Sequence, residues 1–465
     1  MLASQFPRPP LRLYRGRITP GKSKRMRPHS GRPGIRPWPD RGTGHIRPGT
    51  CHATCRGRAT RSRYNNKTSP DPAMEPSIDT KNIGLRGIPV ADTRISNIDG
   101  KQGRLIYRGY DISDLSSKSN FEEVAYLLLH DGLPTKDRLS AFNSRLVEAR
   151  WIPKQMQINM GNWRKDADPM DMLQAFVAAL AGYYDEEFAN KEASYDRAIN
   201  LIGKVPTIVA SWHRIRNGED LIDPDPALSH AANFLHMMTG KVPDKEMERI
   251  FDTCLILHAD HTFNASTFAA RQVASTRAHM YSAASAAIGA LSGELHGGAN
   301  YEVMRMLLDM GSVEAVVPWI RKRMDDGQRI MGMGHAVYKT YDPRATVLKE
   351  LSRRLAAKTG QPWFAITEKV EQATADEMKK RKGVEIYPNV DLYSASVYYM
   401  LDIPMDLNTP IFAISRVAGW AAHIIEEKFA EAAPKPALYR PKAVYVGKYC
   451  GPEGCEYKAL DLRES

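Results

Sequence analysis

Residues 120–132, NFEEVAYLLLHDG, set the reading of the whole chain. Asn120 is a favoured helix N-cap, and Glu123 follows at the three-residue spacing of a capping box. Phe121, Val124, Ala125 and Leu128 recur at helical intervals, so one face is apolar. Gly132 marks the stop and Leu133-Pro134-Thr135 the exit. The same spacing continues through Leu139, Phe142 and Leu146. It predicts further helices over 170–183, 193–203, 205–216, 228–238, 245–258 and 264–290, and then over 312–325, 343–358, 363–380, 391–401 and 410–429. Only residues 95–108 read differently: Asp99-Gly100 is a turn signal between two short β-prone runs, which predicts a small hairpin. No internal repeat is visible. The fold class is therefore all-α with a small N-terminal β-hairpin.

Composition divides the chain in two. Of the 465 residues, 65 are Lys or Arg and 53 are Asp or Glu, a formal charge of +12. Residues 1–73 hold 14 Arg, 3 Lys and two acids, Asp40 and Asp71, for a local net of +15; the remainder is mildly acidic at −3. With 11 Pro and 8 Gly, the first 73 residues lack the apolar surface to offset chain entropy, so they read as a disordered Arg/Pro-rich extension. Three readings of it stand. It is untranslated sequence ahead of a start at Met74, which puts the protein in the cytoplasm. It is a transit peptide to an organelle matrix, although Pro7, Pro9, Pro10, Pro20 and Pro28 interrupt any amphipathic helix. Or it is a nucleic-acid-binding arm with sparse aromatics. No charge-free apolar run approaches the ~18 residues of a membrane helix, and Met172–Tyr184 reads as a buried helix. Cys51, Cys55, Cys450 and Cys455 lack the paired spacing of a zinc ribbon, so no metal is expected.

Four segments concentrate polar chemistry. In 257–267, LHADHTFNAST, His258 and His261 read as two buried structural histidines, a metal pair or carboxylate ligands. In 293–300, GELHGGAN, His296 precedes two glycines and a helix start near Asn300; free N–H groups there suit an oxyanion, and a plain connector is the alternative. In 331–344, MGMGHAVYKTYDPR, His335, Lys339 and Arg344 make a cationic turn suited to an anionic substrate, against a solvated loop. In 386–394, IYPNVDLYS, Asp391 lies among apolar and aromatic residues. It reads as a general base with a raised pKa, as an N-cap, or as both.

In this order, from about Gly84 to Arg440, these segments resemble the citrate synthase family. The opening GLRGIPVADTRISNIDGKQGRLIYRGYDI is similar to its short prokaryotic branch. The resemblance implies an all-α fold of two domains, the larger from 74–297 with 403–465 and the smaller 298–402. It implies an acyltransferase that condenses acetyl-CoA with oxaloacetate and hydrolyses citryl-CoA, the entry step of the tricarboxylic acid cycle, with no metal or redox cofactor. It gives His296 the thioester oxygen, Asp391 the methyl proton and His335 the ketone of oxaloacetate. It gives His261, Arg344 and Arg416 (in FAISRVAGWAAHIIEE) contacts to oxaloacetate, and Arg440 (in YRPKA) a reach into a neighbouring subunit's site, hence a homodimer. Lys339 and Lys382 are weaker candidates for CoA phosphates. Ala395 and Ala336 depart from common family residues, and 1–83 shows no sign of the extra domain of NADH-inhibited forms. A 2-methylcitrate synthase using propionyl-CoA is the close alternative. A non-catalytic binding protein with a nucleic-acid-binding tail is the remote one.

Overall fold

The structure is a computed structural model describing residues 84–184, 190–447 and 455–463. The extension 1–73, and with it Cys51 and Cys55, lies outside the described residues, as does Cys450.

The hairpin forms where Asp99-Gly100 placed it. Strand β1 (Ser96–Asp99) pairs antiparallel with β2 (Arg104–Tyr107), Ser96 opposite Tyr107 and Asp99 opposite Arg104. The Asp99 carboxylate accepts the N–H groups of Lys101 and Gln102, both at 2.9 Å, and pins the turn. A third strand, β3 (Tyr110–Asp111), adds to β2, so the hairpin is a three-stranded meander. Alternation buries Leu105 and Tyr107 on its inner face.

All else is helix and connector. The first eight helices are α1 (Ile112–Lys118), α2 (Phe121–His130), α3 (Lys136–Ala149), α4 (Lys154–Gly161), α5 (Pro169–Ala179), α6 (Lys191–Asn217), α7 (His230–Thr239) and α8 (Lys245–His258). The remaining eight are α9 (Ala265–Ser275), α10 (Met280–Leu291), α11 (Ala299–Met310), α12 (Val313–Asp325), α13 (Pro343–Thr359), α14 (Trp363–Lys382), α15 (Val390–Met400) and α16 (Asn408–Phe429). In α2 the Asn120 side chain accepts the Glu123 N–H at 2.9 Å, one half of a capping box; the Glu123 carboxylate instead accepts the Ser119 hydroxyl, and Phe121, Val124, Ala125 and Leu128 are buried. The left-handed residue at its end is Asp131 (φ 62°), one before Gly132.

Helix α16 is buried almost all round, the mark of a central helix. It packs against α6, α9, α10, α2 and α8, while α11 to α15 pack chiefly on one another. Gly419 allows the close approach of α16 to the 259–260 backbone, because a Cβ there would stand 2.3 Å from the Ala259 carbonyl oxygen. No described helix is long and apolar enough to cross a membrane.

The short helices α1 and α4 were not expected, and two helix boundaries differ from expectation. The segments 193–203 and 205–216 form one helix, α6, that runs through Pro206. Burial of nearly every side chain from Ala198 to Trp212 outweighs the one backbone hydrogen bond proline removes. Conversely, 264–290 is two helices. The chain breaks at Arg277 (φ 66°), and the His279 ring then caps α10 by accepting the Ser282 N–H at 3.0 Å. Neither Gly nor Pro marks that break.

Candidate active site

Each of the four polar segments ends or begins a helix, so backbone groups left over at the ends are free to hold side chains. Asn264 caps α9, and the Ser266 N–H near its start donates to His296 Nε2 at 3.2 Å. A backbone N–H can only donate, which leaves Nε2 as the acceptor and assigns the ring proton to Nδ1. The Ser266 hydroxyl lies 2.9 Å from the same nitrogen and receives the Trp420 indole N–H at 3.2 Å. Burial, with a smaller push from Arg416, takes the His296 pKa down to about 4. At neutral pH this is an uncharged ring presenting Nδ1–H.

His335 is set the opposite way. Its Nδ1 accepts the N–H groups of Val337 (3.0 Å) and Tyr338 (3.1 Å), so its proton sits on Nε2. Burial, aided by Arg344, also takes it down to about 4. Its loop is held from two sides. From one, the Lys339 N–H donates to the hairpin carbonyl of Gly100 at 2.8 Å. From the other, the Gly334 N–H donates to the Tyr387 carbonyl at 2.7 Å and the Asn389 N–H to the Gly332 carbonyl at 2.9 Å. The Asn389 amide also donates to the Gly334 carbonyl at 2.9 Å, and its oxygen accepts the Asp391 N–H at 3.0 Å. One asparagine therefore ties the His335 loop to the start of α15.

Asp391 is the second residue of α15. Asn389 is the N-cap, which corrects the N-cap reading of Asp391. Among the described residues no hydrogen bond reaches its carboxylate. Burial pushes it up to about 6, against the pull of Arg344 and Arg416.

His261 stands against His335, ring centroids 5.5 Å apart, and its Nε2 lies 3.3 Å from the Tyr338 hydroxyl. Burial, reinforced by Arg344 and Arg416, holds it well below the usual histidine range. His258 takes the structural reading: buried at the end of α8, it donates from Nδ1 to the Cys254 carbonyl at 2.8 Å. Among the described residues no group of three or more His, Cys, Asp or Glu is placed to hold a metal ion.

Two buried guanidiniums complete the cluster. Arg344 forks onto Asp342, Nε to Oδ1 at 3.0 Å and Nη2 to Oδ2 at 2.7 Å. Burial opposes its charge, but the Asp342 carboxylate outweighs it and the net shift is upward. Arg416 donates from Nε to the His258 carbonyl at 2.6 Å, and burial takes it down to about 10 despite Asp260. The field of Arg416 reaches His296, Asp391 and His261; that of Arg344 reaches His335, Asp391 and His261. Six of the predicted residues thus form one site. Lys339 is exposed but close enough to act on His335. Lys382 lines a cavity of about 450 Å³ with Arg329, Met331, Gly332, Met333 and Asn389. Arg440 is exposed and contributes nothing to the site of its own chain among the described contacts.

Residues 84–442 match the family model described as "Citrate synthase, C-terminal domain". The citrate synthase of Synechocystis sp. is 45% identical over 369 residues, covering 79% of this chain and 91% of that protein. That of Haloferax volcanii is 41% identical, covering 78% of this chain and 95% of the relative. The chain belongs to the citrate synthase family. It is accordingly an acyltransferase of the citrate synthase type. Solved citrate synthase structures agree in fold. That from Pyrobaculum aerophilum superposes with a TM-score of 0.74 at 41% identity, over 82% of this chain and 95% of that one. The Thermoplasma acidophilum enzyme, solved as a ternary complex with carboxymethyl coenzyme A and oxaloacetate, gives a TM-score of 0.75 at 34% identity, over 82% of this chain and 98% of that one.

The residues that hold these side chains in place are not among the sequence-predicted ones. Ser266, Asn389 and Asp342 act through backbone or buried contacts: Ser266 on His296, Asn389 on the His335 loop and the start of α15, and Asp342 on Arg344.

Proposed function

We propose that the chain condenses acetyl-CoA with oxaloacetate and hydrolyses the citryl thioester, releasing citrate and CoA. The observation that carries this is the opposed setting of the two histidines around a free carboxylate: Nδ1–H on His296, Nε2–H on His335, and Asp391 unpaired between them in chemistry. A thioester methyl is a very weak acid, so its proton leaves only if the developing oxyanion is stabilised at once. His296 donates to the thioester oxygen while Asp391 takes the methyl proton. His335 donates to the ketone oxygen of oxaloacetate and makes that carbon electrophilic. The new carbon–carbon bond forms between the enol carbon and the ketone carbon. Arg344 and Arg416 hold the carboxylates through charge-assisted hydrogen bonds, with His261 beside them.

Coenzyme A enters along the cavity beside Met331–Met333, its phosphates toward Arg329 and Lys382, with Lys339 the lesser contributor. Arg440 completes the site of a second copy, so the working unit is a homodimer. The larger lobe is 74–297 with 403–465 and the smaller 298–402, consistent with the mutual packing of α11 to α15. The enzyme works in the cytoplasm, and neither a metal nor a redox cofactor takes part.

The test is CoA release by the purified full chain with oxaloacetate and either acetyl-CoA or propionyl-CoA. The proposal expects a higher kcat/KM with acetyl-CoA. A preference for propionyl-CoA makes the chain a 2-methylcitrate synthase, and no turnover with either overturns the reading.

A further inference from the structure

His296 and Asp391 sit on different elements, yet they must face one substrate methyl group from fixed positions. A buried polar junction joins those elements. Asn300, the second residue of α11 and four residues after His296, is 1% exposed. Its amide nitrogen donates to the Ser394 hydroxyl, and its oxygen accepts the Asn408 amide at 2.6 Å. Ser394 is wholly buried, three residues after Asp391, and its hydroxyl reaches back to the Asp391 carbonyl at 3.4 Å. Asn408 opens α16, the helix that carries Arg416, and is 1% exposed. Beside it the Thr409 hydroxyl donates to the Gly297 carbonyl at 3.1 Å, on the residue after His296. Gly297 has no room for a side chain: a Cβ would stand 2.3 Å from the Leu291 carbonyl oxygen. The donor and acceptor roles are consistent along the chain, since the Ser394 proton is spent on the Asp391 carbonyl and its oxygen is left to accept from Asn300.

We propose that Asn300 is a positioning residue for the proton transfer, the crosspiece that fixes the His296 loop against the α15 turn bearing Asp391. An apolar contact at the same place would fill the space without setting a distance; a hydrogen-bonded amide sets both spacing and angle. The junction also lies where the chain passes between the two proposed lobes, at 297/298 and again near 402/403. The proposal rests on the acid and base roles given above to His296 and Asp391.

The experiment compares Asn300→Ala, Ser394→Ala and Ser352→Ala in the full chain. Ser352 makes a comparable buried hydrogen bond, 3.0 Å to Ser396, between α13 and α15 and away from His296. Readouts are kcat, both KM values, the melting temperature, and the deuterium isotope effect on kcat with trideuterioacetyl-CoA. Misplacement of reacting groups by ~1 Å costs on the order of 100-fold in rate. Asn300→Ala should lower kcat ~30- to 100-fold, leave the KM for oxaloacetate within about 3-fold, and raise the isotope effect. Should Asn300→Ala fail to fold, Ser394→Ala carries the same expectation from the other side of the bond. Ser352→Ala should lose stability while keeping kcat and isotope effect. A kcat within about 3-fold of wild type in folded Asn300→Ala and Ser394→Ala overturns the proposal, as does a Ser352→Ala variant with the same kinetic signature. Asp391→Asn separates the two layers. If it is inactive while Asn300→Ala is normal, only the crosspiece fails; if it is active, the role assignment beneath fails too.

Discussion

Gly100→Ala, in the hairpin turn, should disable a site to which it contributes no side chain. A Cβ at Gly100 would lie 2.4 Å from the Val337 carbonyl oxygen and 3.0 Å from its carbonyl carbon. Ordinary contact needs roughly 3.4 Å, so turn or loop must move by about 1 Å, and both partners are backbone with no flexible end to yield. The Lys339 N–H bond to the Gly100 carbonyl, 2.8 Å, stretches with the same movement. Val337 and Tyr338 supply the two N–H groups that set His335, so the displacement passes to the ring proposed to polarise the ketone. A misplacement of this size costs on the order of 100-fold, about 2.7 kcal/mol of transition-state stabilisation. Overpacking adds a stability loss of about 1–3 kcal/mol. Steady-state CoA release with varied oxaloacetate, and thermal melting, measure the two effects. We expect kcat/KM for oxaloacetate to fall 10- to 100-fold, about 1.4–2.7 kcal/mol, with the KM for acetyl-CoA changed far less. A folded variant with kcat/KM within twofold of wild type would refute the claim that the hairpin holds the His335 loop.

Further predictions concern charge. As the proposed base, Asp391 must be ionised, so kcat/KM for acetyl-CoA should fall as pH drops through about 6, while His296 and His335, at about 4, stay neutral across that limb. Because its folded pKa is raised, Asp391 favours folding fully only below its unfolded value, and that contribution is lost as pH rises through about 6. Asp391→Asn should accordingly melt higher than wild type at pH 8 and no higher at pH 4; an equal melting temperature at pH 8 contradicts the buried-charge argument. Arg344→Lys keeps the charge but loses the fork onto Asp342, so the KM for oxaloacetate should rise 10- to 100-fold with a lower melting temperature, and an unchanged KM counts against the carboxylate role. Mixing and refolding Arg440→Ala with Asp391→Asn, each inactive alone, should restore part of the activity if Arg440 serves the partner's site; no recovery places Arg440 outside catalysis.

Much of this was legible in the residues. The period of Phe121, Val124, Ala125 and Leu128 gave α2, and Asp99-Gly100 gave the turn between β1 and β2, because both signals are local. The course of α6 through Pro206 was not, since tertiary burial decides it, and neither was the break at Arg277, which no glycine or proline announces. At the site, Arg416 and Arg440 came from the family resemblance alone, whereas His296, His335, Arg344 and Asp391 stood out by type and setting. Their protonation did not, because it depends on the Ser266 and Val337 N–H groups, which any residue but proline supplies. Arg416 shows the same limit: nothing local in FAISRVAGWAAHIIEE announces that its guanidinium is buried, donating to the His258 carbonyl.

The most direct test of the central claim is the turnover of Asp391→Asn with acetyl-CoA and oxaloacetate, on protein shown by melting to be folded. Removing a positioned general base costs about 10²- to 10⁴-fold, and the account predicts a loss in that range in kcat with both substrates still bound. A folded Asp391→Asn enzyme that keeps kcat within tenfold of wild type would contradict it.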